Sequence, residues 1–244
     1  MDRQDRVWVA WDGYETGNYD VYWSRLEKGQ WSKPASLAAS SNFEAHVSLA
    51  VDAAGRMWAA WDEAGRNWGK DTGFTIRGGG EAGTGLYAER RIKLACLVEG
   101  RWMQPRTMPE YPTPTPAYDF RDRPQLEADE AGQIWLAWRA RYRIRLGQGM
   151  GGAAGAGSFE TYLASFDGRR WTPARFVPHS VGRADTRVAL AAAAGGGLWL
   201  AQATDQRRFA DNRPGGYDLI TTRVAAPGRA QAADLEPLRI NAIE

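Results

Sequence analysis

Cysteine and histidine, which supply disulfides, nucleophiles and metal ligands, are scarce in this chain of 244 residues. Its one cysteine, Cys96, excludes an internal disulfide, and one cysteine with two histidines makes no zinc constellation. Cys96 lies in an apolar run, so we expect a buried, inert thiol. No run of about 18 apolar residues is present, so a membrane-spanning helix is not predicted. The N-terminal stretch does not resemble a signal peptide, and the sequence does not assign a compartment.

The chain also has little excess of charge of either sign, since the formal net charge is only +2. Overall charge therefore gives no reason to expect nucleic acid or a membrane surface as a partner. Among the 31 cationic residues only 4 are lysine, which leaves 27 arginines. Two interpretations stay open: a compositional bias of the genome, or a use for planar guanidinium groups at binding sites.

Tryptophan, in contrast, is abundant, with 12 residues, and it recurs within a short repeated phrase. The first tryptophan of the phrase returns at intervals of 50, 77 and 64 residues. Uneven spacing around a constant phrase indicates one structural unit with loops of variable length. The four copies are WVAWD at 8–12, WAAWD at 58–62, WLAWR at 135–139 and WLAQA at 199–203.

Each copy lies within a series of short alternating segments separated by turns, which predicts antiparallel strands. Four-stranded units with a recurring tryptophan are typical of β-propeller blades, so we predict an all-β propeller of about four blades. We expect a single domain, 1–244. Its predicted blades are approximately 1–42, 43–118, 119–180 and 181–244.

The first predicted blade lacks its inner strand, and two explanations are open. The chain is a fragment of a larger propeller, which we favour, or its C-terminal segment fills the vacant place in the first blade. If the C-terminal segment does not fill that place, we expect a weak strand near 235–240 as the last strand of the fourth blade.

Long predicted loops fall on one side of the blades and short turns on the other, so we expect ligands on the loop side. Twelve residues before the first tryptophan, three units carry a basic residue: His46, Arg123 and Arg187. This position begins the innermost strand, so the three side chains are predicted to converge near the propeller axis.

Four residues after the same tryptophan come Asp12, Asp62 and Arg139. One interpretation is a polar central site whose arginines bind a carboxylate, sulfate or phosphate. The other is an Asp–Arg lattice that joins adjacent blades. Three further acidic residues complete the candidate site: Asp122, Asp185 and Asp205.

Several catalytic and cofactor motifs are missing. The glycine runs 77–85 and 147–157 lack the GK[ST] of phosphate loops, and no G-x-S-x-G motif is present. Clustered aspartates could hold Ca²⁺, but no ordered calcium loop supports it. We therefore predict no cofactor.

The pattern G-x-[ILM]-W-x-A-W, then Y-D-[VL], then G-x-W-[ST]-x-P resembles BNR and sialidase-like propeller repeats. The segment 165–171 approximates an Asp-box but is one residue short. The resemblance implies a site with three arginines, an acidic aspartate and a Tyr–Glu pair. Arg123 and Arg187 fit two of the arginines, but no Tyr–Glu pair can be assigned. A second similarity, carried by VPHSVGRADTRVALAA, is to bacterial propeller segments that precede PHP-type metal-dependent domains.

We therefore predict a non-catalytic propeller module whose loop face binds a polar, anionic or saccharide ligand, or a partner domain. The expected partners are a polar small molecule or glycan and an adjacent catalytic domain outside this chain. The alternative is a sialidase-like glycosidase or a polysaccharide lyase. An enzyme of that type needs two carboxylates roughly 5–10 Å apart in one pocket.

Overall fold

The secondary structure of this chain is entirely β in the part that the computed structural model describes. Its strands form four antiparallel sheets. No helix that could cross a bilayer occurs in the described part. The described residues are 1–2, 4–15, 17–66, 68, 90–110, 120–143, 157–177, 180, 188–204, 218–228 and 235–237.

The first sheet, blade 1, contains β1 (Val7–Gly13), β2 (Asp20–Glu27), β3 (Gln30–Trp31) and β4 (Ala35–Ala38). Both β3 and β4 pair with β2, so together they occupy one outer position. Blade 1 therefore has three strand positions, and β1 is its innermost strand, as the missing inner strand of the first repeat predicts.

Blade 2 is a complete four-stranded meander of β5 (Phe43–Val51), β6 (Met57–Ala64), β7 (Arg90–Val98) and β8 (Arg101–Pro105). Its outer hairpin turns at Glu99–Gly100, where both residues have positive φ, 49° and 77°. Such a two-residue turn matches the right-handed twist of antiparallel strands.

Blade 3 repeats this order with β9 (Arg121–Ala128), β10 (Ile134–Arg143), β11 (Gly157–Phe166) and β12 (Arg175–Phe176). The first turn is tight in both blades. Gly55 and Gly132 occupy its left-handed position, with φ of 77° and 84°.

Blade 4 comprises β13 (Val188–Ala192), β14 (Leu198–Thr204) and β15 (Asp218–Val224). The sequence-based placement of a last strand in this blade is wrong, because β16 (Leu235–Pro237) pairs with β8 of blade 2. Residues 235–237 likewise do not fill the vacant place in blade 1, and 238–244 lie outside the described residues. The pairing adds a fifth strand to blade 2.

The sheets pack face to face in chain order. Trp58 of blade 2 packs in one apolar cluster with Ile134 of blade 3, and Trp135 of blade 3 packs with Leu198 of blade 4. The second tryptophan of the phrase faces the opposite way in blades 2 and 3: Trp61 lies in the cluster shared with blade 1, and Trp138 in the cluster shared with blade 2. Small residues such as Ala60 and Ala137, both fully buried, let the sheets approach closely. This is the packing of β-propeller blades.

An aspartate six residues before the first tryptophan holds the inner turn of each of the first three blades. Asp129 accepts hydrogen bonds from the backbone N–H of Gln133 at 3.0 Å and from the Trp135 indole at 2.8 Å. It also accepts one from the backbone of Gly197 in blade 4, at 3.0 Å. Asp52 and Asp2 hold their own tryptophans in the same way.

We expect Asp129→Ala to lower the free energy of unfolding by about 3 kcal/mol, because a buried indole and two amides lose a charged acceptor. Urea unfolding measures the change. The neighbouring Glu130 is exposed and accepts one backbone bond, from Gly195 at 3.0 Å. Glu130→Ala serves as the control and should cost under about 1 kcal/mol. Equal losses in the two variants would contradict this assignment.

Candidate functional site

Two basic residues begin the central strands of blades 2 and 3 in an unusual backbone conformation. His46 and Arg123 have φ of 58° and 53°, in the left-handed region. At both places the pairing register with the second strand shifts, between Ala45 and Ser48 and again beside Arg139. A β-bulge with positive φ at a non-glycine residue costs energy and persists only where its surroundings hold it.

Buried or half-buried carboxylates of the preceding blade hold these bulges. Asp12 of blade 1 accepts hydrogen bonds from the backbone N–H groups of His46, at 2.8 Å, and Val47, at 3.3 Å. Asp62 of blade 2 accepts one from the backbone N–H of Arg123 at 2.9 Å. The repeated Asp therefore joins one blade to the innermost strand of the next.

Asp62 also brings the two basic residues together. Its Oδ2 lies 2.9 Å from His46 Nδ1 and accepts the Arg123 backbone bond as well. The Asp62 side chain is fully buried, whereas 38% of the His46 side chain is exposed. One buried oxygen thus orients an imidazole whose other nitrogen is left at the rim, and it fixes the adjacent bulge.

A buried ion network lies behind this rim. Arg90, at the start of β7, places Nη1 at 3.1 Å from Asp122 Oδ2 and Nη2 at 3.4 Å from Asp62 Oδ1. Arg139 binds Asp122 through two nitrogens, with Nε at 2.8 Å from Oδ1. All four side chains are at most 5% exposed. Two carboxylates are therefore neutralised by two guanidinium groups.

Aromatic rings cover the guanidinium groups of this network. The Arg90 carbon Cζ lies 4.1 Å from the ring centre of Trp68 and 5.7 Å from that of Phe120. Arg139 lies 3.9 Å from the ring centre of Phe159. Stacking of planar cations on aromatic faces stabilises them in a desolvated place.

The structure brings together five of the eight predicted site residues. His46 and Arg123 are partly exposed, with the Nε and Nη1 atoms of Arg123 themselves buried, and Asp62, Asp122 and Arg139 are buried. Arg187, Asp185 and Asp205 lie outside the described residues, as do the two predicted glycine-rich loops. The buried part of the cluster is an Asp–Arg lattice between blades 2 and 3, and the central polar site stays a prediction.

Sequence reasoning missed Arg90, which connects the two carboxylates. It is followed directly by Arg91, and the two differ only in which face of β7 they occupy: Arg90 is buried and Arg91 is exposed. The alternation of β7 predicts opposite faces for the pair, but only the neighbouring blade decides which face is buried.

A separate carboxylate lies buried between blades 1 and 2. Glu44 is fully buried and pairs across the strands with Glu63, and its backbone N–H donates to Tyr19 in blade 1. Burial, together with the negative charges of Glu63 and Asp20, raises the pKa of Glu44 to about 7, although a hydrogen bond from Ser40 opposes the rise. Glu44 is thus partly protonated at neutral pH.

No described group of three or more His, Cys, Asp and Glu side chains is arranged to hold a metal ion. Cys96 is buried, and burial raises the pKa of its thiol to about 12. This thiol has neither the exposure nor the thiolate character of a nucleophile.

No protein-family model matches the chain, and no curated protein matches it in sequence. Among solved structures it is similar to the Hadza microbial sialidase Hz136, with 16% identity and a TM-score of 0.54, over 98% of this chain and 45% of that one. It is also similar to a protein of unknown function from Dyadobacter fermentans DSM 18053, with 11% identity and a TM-score of 0.55, over 97% and 66%. A GH43 endo-arabinanase from Bacillus licheniformis has 10% identity and a TM-score of 0.40, over 91% and 70%, too distant to carry an argument.

At such identities the likeness shows the fold alone. The prediction of an all-β propeller is confirmed. The chain spans 45% of the sialidase and 66% of the Dyadobacter protein. The assignment to BNR repeats and the association with a PHP-type domain stay predictions, since no family model supports them.

We expect Arg90→Ala to lower the free energy of unfolding by about 3–5 kcal/mol, because it leaves Asp62 and Asp122 buried with less compensating charge. The adjacent Arg91→Ala removes an exposed guanidinium from the same strand and should cost under about 1 kcal/mol. Urea denaturation of both variants makes the comparison. Similar small losses would show that the network does not hold blades 2 and 3 together.

The raised pKa of Glu44 predicts a pH dependence of stability. The folded state holds the Glu44 proton more tightly than the unfolded state, so stability falls as pH rises from about 4.5 through about 7. Glu44→Gln should abolish that part of the profile and stabilise the protein at pH 8, by at most about 3 kcal/mol at 1.4 kcal/mol per pKa unit.

Thermal unfolding between pH 5 and 8 tests the Glu44 effect. The exposed Glu99→Gln is the matched control, since it removes one carboxylate without changing a buried group. A parallel shift of the whole profile in both variants would mean that net charge, and not Glu44, sets the slope.

Proposed function

We propose that this chain is a propeller module that binds a carboxylate-bearing polar ligand, in the first instance an acidic saccharide, without catalysing its conversion. The binding groups are His46 and Arg123, at the entrance of the central strands. The observation that carries the proposal is their pairing: both project from bulges of positive φ, and both bulges are anchored by carboxylates of the preceding blade.

Strain of this kind supports a functional interpretation. Two non-glycine residues held with positive φ at equivalent places cost energy that an ordinary strand would avoid. A β-bulge re-aims the side chains beside it, and the hydrogen bonds that Asp12 and Asp62 accept from the backbone of His46 and Arg123 keep both bulges fixed. A rigid pair of basic residues loses little conformational freedom when it binds an anion.

The buried carboxylates favour binding over hydrolysis. A glycosidase of the two-carboxylate type needs one group to donate a proton and another to act as base or nucleophile, both facing the substrate. Here Asp62 and Asp122 are 0% and 1% exposed and contact Arg90 or Arg139. Their role in this proposal is to orient the cationic rim.

The remaining predicted residues extend the proposal. Arg187 occupies the equivalent sequence position in the fourth repeat, and it would add a third cation beside His46 and Arg123. Asp185 and Asp205, from the same repeat as Arg187, complete the proposed set. A catalytic domain elsewhere in a longer protein would then act on the ligand that this module holds.

The test is titration calorimetry with sialyllactose as the carboxylated probe and lactose as its neutral counterpart. We expect sialyllactose to bind more tightly than lactose, and the double variant His46→Ala with Arg123→Ala to lose at least about tenfold in affinity, the scale of one charged contact. Arg101→Ala, an exposed arginine at the opposite end of blade 2, is the control and should bind as the wild type does.

The double variant loses the His46 partner of the buried Asp62, so we expect a lower free energy of unfolding, and affinities are compared at a temperature where circular dichroism shows both proteins folded. Equal affinity for the two sugars, or full affinity in the double variant, would overturn the proposed site. Release of free sialic acid during the titration would overturn the non-catalytic assignment and favour the glycosidase alternative.

A further inference from the structure

The stack of sheets has two faces that no described apolar cluster covers. The clusters join blade 1 to blade 2, blade 2 to blade 3 and blade 3 to blade 4, and none of them joins blade 4 to blade 1. On the outward face of blade 4, Trp199 is 49% exposed and Leu219 is 76% exposed. On the outward face of blade 1, Val7 and Val9 are each 36% exposed.

The blade 4 face repeats the residues that receive a following blade elsewhere. In blade 2, Trp58 and Ala60 point toward blade 3, and in blade 3, Trp135 and Ala137 point toward blade 4. Trp199 and Ala201 are the equivalent residues of blade 4. Cross-strand register puts Arg223, Thr221 and Leu219 beside Trp199, Ala201 and Ala203, so this face carries a single charge among six side chains.

The blade 1 face repeats the residues that fit against a preceding blade. Trp61 and Ala59 of blade 2 pack on blade 1. Leu136 and Trp138 of blade 3 pack on blade 2. The equivalent residues in blade 1 are Val9 and Trp11, with Tyr22 stacked beside Trp11 at 6.2 Å between ring centres.

We propose that a second copy of this chain covers both faces, head to tail. Blade 4 of one copy packs on blade 1 of the other, by the same rule that joins consecutive blades within the chain. Two copies related by a two-fold axis make this contact twice and close a ring of eight blades, within the usual range for propellers. The two apolar faces are then both removed from water.

One residue departs from the repeat in a way that fits an interface between chains. Asp52 and Asp129 bind the indoles of Trp58 and Trp135, but the equivalent position before Trp199 is Ala193. The Trp199 indole therefore lacks the carboxylate that fixes its counterparts.

The experiment is sedimentation velocity of the purified chain over a concentration series, with two single variants. We expect a species of twice the 27.0 kDa monomer mass for the wild type. Trp199→Arg on blade 4 and Val9→Glu on blade 1 should each shift the chain to monomer. Phe176→Arg, at an exposed aromatic residue on the outer strand of blade 3, is the control and should stay dimeric.

Mixing the two variants identifies the head-to-tail arrangement. Each variant keeps one intact face, and the altered faces carry opposite charges, so the mixture should recover the dimer that neither variant forms alone. Circular dichroism should show folded protein throughout, since both positions are substantially exposed in the single chain. A monomeric wild type overturns the proposal, and so does a Val9→Glu variant that remains dimeric, which would mean that blade 4 packs on blade 4.

Discussion

Buried aspartates at both ends of the second strand hold the blades of this protein together. At the turn end, Asp52 and Asp129 bind a tryptophan indole and the amides of the inner turn. At the loop end, Asp62 and Asp12 bind the backbone of the next blade. Asp52, Asp62 and Asp129 are buried and Asp12 is half-buried, and each accepts hydrogen bonds from two or more N–H groups, an arrangement that tolerates little displacement.

This constraint has a direct consequence for the candidate site. The carboxylate of one blade fixes the bulge of the next, so inter-blade hydrogen bonds hold the backbone of His46 and Arg123. The buried network of Arg90 with Asp62 and Asp122 then keeps acidic groups away from the rim. The charges of Asp62 and Asp122 are thus balanced by Arg90 and Arg139, which is the basis on which we propose binding and not proton transfer.

The repeat explains most of what could be predicted. The recurring tryptophan phrase predicted the antiparallel strands and their grouping into blades, because alternation is a local property that every copy repeats. The prediction failed for β16, which pairs with β8 of blade 2. A three-residue strand carries too little pattern to select its partner, and the free edge of blade 2 decides where it pairs.

The amino-acid order alone determined the unit, its direction and the equivalence of His46 with Arg123, since these follow from period and spacing. Only the tertiary structure decided that Arg90 contacts both Asp62 and Asp122. It also decided that Arg90 is buried and Arg91 is exposed. Burial of a charge depends on which sheet lies opposite, and that is a property of two blades in contact and not of either strand.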